Sequence, residues 1–192
     1  NGYEATTMKD IAARVNLTAA SLYHHFRNKD FLLLAVLEKG LEQAIQQIEP
    51  IMQQDIASAE KLKEMIHTHV GGVTDNPAYG TAMVFEIKAL LNASSAERGN
   101  DQDEYIERRD AFFAQRDYFE ALFRQVIKEG IASSEFREVD AGIVTKAILG
   151  ANNWVGVWFK PGGRLAGKQI ADIMADTFLT SFQFTTEPAI KS

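Results

Sequence analysis

The run from Thr7 to Phe26 constrains the fold most, because its apolar residues recur at helical spacing on either side of a tight turn. Thr6-Thr7 can cap a short helix to about Arg14, and Thr18 a second to about Phe26. Between them Val15-Asn16-Leu17 forms the turn, and its Asn tolerates a left-handed backbone. Met8, Ile11, Ala12, Val15, Leu17, Leu22 and Phe26 are predicted to share one small core, with Ala12 letting the helices approach closely. That packing turns Thr18, Ala19, Ser21, Tyr23 and His24 outward. Hydroxyls, an imidazole and a phenol on one exposed face suit phosphate oxygens and base edges.

The remainder reads as all-α. Gly and Pro are scarce, and almost no segment alternates with the period of a strand. A long third helix starts at the Asn28 cap and carries Phe31, Leu34, Leu37, Leu41, Ile45 and Ile48 to a stop or kink near Pro50. Further helical patterns span about 59–70, 77–92, 103–132, 139–159 and 166–184. Gly71-Gly72, Ser94-Ser95, Ser133-Ser134 and Pro161-Gly162-Gly163 separate them, and residues 187–192 resemble a frayed tail. The expected division is an N-terminal helix-turn-helix unit with linker helix at 1–48 and a larger helical domain at 49–192. With 46% hydrophobic and 24% charged residues the chain can fill a packed core. No apolar stretch reaches the roughly 18 to 20 residues of a membrane span and no signal segment is visible, so no membrane partner and a cytoplasmic location are expected. Absent cysteines rule out disulfides and thiolate chemistry. The net charge of -6 argues against indiscriminate coating of nucleic acid, yet residues 1–30 hold Lys9, Arg14, Arg27 and Lys29 against three carboxylates. Any nucleic-acid contact therefore belongs at the N-terminus.

The string Thr-Thr-Met-Lys-Asp-Ile-Ala at 6–12, followed by Ser-Leu-Tyr-His-His-Phe-Arg-Asn-Lys-Asp at 21–30 and a Leu-rich helix, resembles the DNA-binding signature of the TetR (tetracycline-repressor-like) family over residues 3 to about 37. The resemblance implies that Thr7, Thr18, Tyr23, His24 and Lys29 hold phosphates of double-stranded DNA while Ala19, Ala20 and Ser21 face the major groove, Thr18 being able to do either. It also implies a homodimer on a palindromic operator. The family's DNA-binding unit has three helices. Because the chain opens Asn-Gly-Tyr-Glu in a turn-like segment, the first of them is expected to precede Gly2.

In the larger domain, Tyr105, Arg109, Phe112, Phe113, Arg116, Phe119 and Phe123 place two guanidinium groups on one aromatic stripe. A buried guanidinium needs a carboxylate, water or an anionic ligand, and Glu86, on the apolar side of its own helix, is the expected internal partner. The helix ending near Phe159 is apolar in nearly every direction. One side is expected to meet a second copy of the chain, together with Ile170, Ile173, Met174, Phe178 and Phe182 of the last helix. Asn153-Trp154, Trp158-Phe159-Lys160-Pro161-Gly162-Gly163-Arg164-Leu165 resembles TetR regulators of fatty-acid, sterol or aromatic-acid breakdown, which often respond to acyl-CoA thioesters. That likeness implies an apolar pocket with a basic mouth, for which Phe85, Phe112, Arg116, Phe119 and Trp154 are the candidates. His67 and His69 do not share a helix face, and neither a Gly-x-Ser-x-Gly setting nor a phosphate-binding glycine loop occurs. No metal site, no cofactor and no enzymatic activity are expected. A small-molecule effector is, with a DNA-independent helical adaptor or a small helical-bundle enzyme using Glu86 and Arg116 as the rival readings.

Overall fold

The computed structural model describes residues 2–87, 90 and 102–182. Among them every regular element is a helix, and none is long and apolar enough to cross a membrane. In chain order they are α1 (Gly2–Ala5), α2 (Met8–Arg14), α3 (Ala19–His25), α4 (Lys29–Met52), α5 (Ser58–Asp75), α6 (Pro77–Phe85), α7 (Gln102–Ala132), α8 (Ala141–Trp158) and α9 (Gly167–Ser181). The expected helix end at Asn92, the Ser94-Ser95 break, the helix end at Phe184 and the tail lie outside the described residues.

Two apolar clusters organise the chain. Met8, Ala12 and Leu22 are buried together with Ile11, Phe26 and Leu32 packed on them. Val15 and Leu17, expected in that core, are about half exposed, because Asn16 takes the left-handed conformation (φ 57°) and the Leu17 amide turns back onto the Ala12 carbonyl at 2.9 Å. The reversal satisfies backbone groups at the end of α2 and carries both side chains outward.

The large cluster runs from Phe31 to Phe182. At its centre α5 packs against α4, α6, α7, α8 and α9. This helix continues past Gly71-Gly72 to Asp75 where a break was expected. Val73 and Thr74 are buried there, so tertiary packing outweighs the weak helix propensity of two glycines. Its own N-cap, Ala57, has no side-chain acceptor; Glu135, from the turn after α7, accepts a hydrogen bond from the Ala59 amide at 3.0 Å instead. Arg137 donates to the Ser181 carbonyl at 2.8 Å, and Phe136 stacks on Phe182 with centroids 4.7 Å apart, which ties the end of α7 to the end of α9. Ile170 and Phe182, expected at a dimer face, therefore belong to the monomer core.

The small and large clusters are joined at Phe31. Its ring lies edge-on to Tyr105 of α7 at 5.3 Å and beneath the guanidinium groups of Arg27 and Arg108 at 5.4 and 5.8 Å. Arg27 pairs with Glu104 at 2.5 Å, and Arg108 with Glu38 of α4. At the N-terminus the structure corrects the expected turn: Gly2–Ala5 is helical. The Tyr3 phenol donates to the Asp30 carboxylate, and Lys29 Nζ donates to the Tyr3 carbonyl at 2.7 Å while lying 4.2 Å from the Tyr3 ring centre.

Candidate functional site

The N-terminal face is built by two caps. The Thr7 hydroxyl accepts from the Asp10 amide at 3.2 Å while the Asp10 carboxylate accepts from the Thr7 amide at 2.9 Å, a reciprocal capping box that starts α2. The Thr7 hydroxyl, which also donates to that carboxylate at 2.6 Å, and after it the Thr7 amide hold the Asp10 carboxyl below its ordinary range. The Thr18 hydroxyl accepts from the Ser21 amide at 3.1 Å and starts α3. With Leu22 turned into the small core, Tyr23 stands 55% exposed, and Thr7, Thr18, Ala20 and His24 are exposed with it. Ala19 and Ser21 are half-buried on the shoulder of α3. The structure thus gathers Thr18, Ala20, Tyr23 and His24 on a single short helix. Lys29 begins α4, and its ammonium is engaged by Tyr3.

A second site lies among α4, α5, α6, α7 and α8. A cavity of about 340 Å³ is walled by Leu41, Met83, Phe119 and Leu149 and bordered by Arg116, Asp117, Glu120 and Lys146. Its charges are not equivalent. Glu120 takes both Lys146 (2.7 Å) and Arg124 (3.3 Å), whereas among the described residues no carboxylate is within ion-pair distance of Arg116. Glu86, the expected partner, pairs with neither stripe arginine; Arg109 reaches its chain neighbour Asp110 at 2.8 Å. Glu86 caps the C-terminal end of α6, and the carboxylates nearest to hand belong to α7 itself.

Of the five candidate pocket residues, only Arg116 and Phe119 line this cavity. Phe112 is buried elsewhere in the core against Phe113, while Phe85 and Trp154 meet edge-to-face on the surface, each about half exposed. The reason is rotational. Trp154 and Asn153 are neighbours on α8, and it is Asn153 that faces the cavity.

Sequence reasoning missed His69 and Tyr79 as lining residues. Both border the large cavity and also a smaller one of about 90 Å³, next to Gly40 of α4. Burial pushes the His69 imidazole down to about 4, against a smaller opposing effect from a hydrogen bond with Asn153. Burial likewise raises the Tyr79 phenol far above its usual range, and the Arg116 charge opposes it only in part. The available signal was His69's place among Leu62, Met65 and Ile66; its neighbour His67 instead meets Asp172 of α9 at 3.3 Å.

Residues 55–182 match the family described as the tetracyclin repressor-like C-terminal domain, and residues 1–36 match the bacterial regulatory proteins of the tetR family. The chain is 28% identical over 173 residues to the HTH-type transcriptional repressor KstR2 of Mycolicibacterium smegmatis, covering 88% of this chain and 77% of that one. Among solved structures it is similar to the TetR family transcriptional regulator PfmR of Thermus thermophilus (28% identity, TM-score 0.77, 93% of this chain and 90% of that one). It is also similar to AibR in complex with isovaleryl coenzyme A and operator DNA (27% identity, TM-score 0.71, 92% and 88%).

Proposed function

The chain belongs to the TetR family of bacterial regulatory proteins, which are regulators and not enzymes, and from that premise we propose that it is a homodimeric repressor released from a palindromic operator by an anionic, largely apolar effector. The effector class is a hydrophobic acid or an acyl-CoA thioester. One observation carries this reading: exposed Arg116, with no carboxylate among the described residues within ion-pair distance, borders a cavity that is apolar at Leu41, Met83, Phe119 and Leu149, polar at its other border, and also touches Ala44 of α4. An unpaired guanidinium beside apolar walls favours a ligand with a negative end and a hydrocarbon body. The similarity to AibR, whose structure holds isovaleryl coenzyme A and operator DNA, supports the same class.

The two heads of the dimer set α3 and its Thr18, Ala19, Ala20, Ser21, Tyr23 and His24 into successive major grooves in the cytoplasm, about 34 to 36 Å apart. Thr7 and Lys29 hold phosphates at the flanks. An occupant of the cavity pushes on α4, which begins in the head at Lys29 and passes the cavity at Leu41 and Ala44. For release, the effector binds the conformation with mismatched heads more tightly than the DNA-bound one.

A salt titration of binding to genomic DNA fragments, with and without isovaleryl-CoA and longer acyl-CoA thioesters, tests both halves. Selective, salt-sensitive binding that a thioester weakens is expected; a folded protein that selects no fragment would end the assignment. Tyr23→Ala is expected to lower operator affinity roughly tenfold through loss of a charge-assisted phosphate contact. Unchanged affinity in that variant would remove α3 from the interface.

A further inference from the structure

A base pair is read in the major groove by a short list of chemistries. Guanine takes a bidentate Arg or Lys, adenine a bidentate Asn or Gln, cytosine an Asp or Glu that accepts from its amino group, and thymine an apolar contact on its 5-methyl group. From Leu17 to Phe26, which spans the approach to α3 and all of α3, the chain holds no Arg, Lys, Asn, Gln, Asp or Glu. Three of the four pairings are therefore unavailable to this helix.

Neighbouring side chains of those types have other work. Arg27 pairs with Glu104 of α7 at 2.5 Å, and Lys29 donates to the Tyr3 carbonyl at 2.7 Å. Asn28 Oδ1 accepts from the Phe31 amide at 3.0 Å and caps α4. Lys9 and Arg14 belong to α2, the helix that crosses the phosphate backbone in a helix-turn-helix, and Asn16 lies in the turn with its backbone left-handed. On α3 itself the Thr18 hydroxyl caps the Ser21 amide, and a hydroxyl hydrogen-bonds to any base without choosing among them. The outward surface is Ala20, exposed one turn ahead of exposed Tyr23 and His24, and Leu17, three residues before it, is 48% exposed. Ala20 is also short enough for the backbone of α3 to come close to a base edge.

We infer that this protein selects its operator through thymine 5-methyl groups, one seated on the Ala20 methyl in each half-site, rather than through hydrogen bonds to guanine or adenine. Methyl against methyl removes both from water, and no other base presents that group in the major groove. The inference rests on the reading of α3 as the helix that enters the groove. It adds what that helix reads.

The test starts from a pool of duplexes with a randomised core, enriched on the full chain at fixed salt. The best duplex is remade with deoxyuridine for thymidine at single positions, which keeps the pairing hydrogen bonds and deletes only the 5-methyl group. At one thymidine of each half-site the replacement is expected to weaken binding roughly fourfold, the worth of one buried methyl group, and roughly fifteenfold when both half-sites carry it. Ala20→Gly removes the partner methyl. Its cost to α3 weighs on both duplexes alike, so the ratio of thymidine to deoxyuridine affinity is the readout, and it is expected to fall close to one. An enriched duplex indifferent to deoxyuridine at every position, or a penalty that Ala20→Gly leaves intact, overturns the inference while leaving α3 in the groove. Enrichment of no sequence overturns the reading of α3 and this inference with it.

Discussion

At the residue scale His69 bears on stability. Its ring is buried neutral between α5, α7 and α8, so its folded value falls from the ordinary 6.5 to about 4. The unfolded chain therefore binds the extra proton first. Stability from this group is fully present above about pH 6.5 and is lost progressively as pH falls toward 4. That interval corresponds to roughly 3 kcal/mol at most. The expected outcome is that wild type loses more stability than His69→Phe between pH 7 and pH 4.5 in urea titrations, the difference between the two curves isolating this ring from the other titrating groups. Parallel curves would show that the ring gains a proton without cost. The sequence placed His69 correctly on the apolar side of its helix, with Leu62, Met65 and Ile66. What it could not supply was Asn152, a partner on another helix whose side-chain nitrogen lies 3.3 Å from His69 Nδ1. Arg116 illustrates the reverse case: its place on an aromatic stripe was legible, but that no carboxylate among the described residues pairs with it emerges only once Glu120 is seen to be taken by Lys146 and Arg124.

At the scale of elements, α4 and α6 meet at Gly40, where a Cβ would fall within the Tyr79 ring. Glycine inside a helix costs about 1 kcal/mol relative to alanine, so a helix that carries one here gives up propensity for close approach. Tyr79 also borders both cavities, and the space above Gly40 is what lets its ring lie between α4 and the larger cavity. Gly40→Ala forces that ring toward the cavities. The net stability change is expected to be small, the gain in helix propensity offsetting part of an overpacking cost of roughly 1 to 3 kcal/mol. Operator affinity without effector is expected to fall, because the displaced ring occupies the space an effector would fill. A variant with wild-type affinity for operator and wild-type effector response would separate Tyr79 from the coupling between cavity and head. Such contacts explain which parts of the helix map were readable. Caps were local and legible at Thr7, Thr18 and Asn28, each with its hydrogen bond. Helix α5 was read too short at Gly71-Gly72 because the burial of Val73 and Thr74 depends on neighbours distant in sequence. Gly80 and Gly156 show the same limit: they read as weak helix positions, yet they are the surfaces on which α6 and α8 cross.

For the whole molecule, the unanswered face is on α8 and α9. Ile143, Ala147, Gly150, Trp154 and Trp158 recur at helical spacing and are all exposed along one side of α8, and Ile173 of α9 is exposed as well. Two tryptophans and an isoleucine along one side of α8 are more apolar area than a monomer of this size ordinarily leaves in water. Sequence reasoning anticipated a helix apolar on two sides, but it assigned Ile170 and Phe182 to the outer face; the rotation of α9 against α5 was beyond it. Three of the five pocket candidates lie off the larger cavity for a related reason, since a cavity is the space several helices leave between them, and no single helix pattern reports it. If the α8 stripe meets its symmetry mate, as an isologous interface requires, each substitution on it acts twice. Trp154→Arg places two new cations at such an interface, and is expected to convert the dimer to monomer in sedimentation velocity while far-ultraviolet circular dichroism stays helical, because Trp154 meets the Phe85 ring at the surface of its own chain rather than in the core. Operator binding is expected to collapse in parallel, since one head alone retains only half the phosphate and groove contacts. A Trp154→Arg protein that remains dimeric would move the interface off this stripe, and a monomer that still binds operator with full affinity would show that the two heads need not be joined at all.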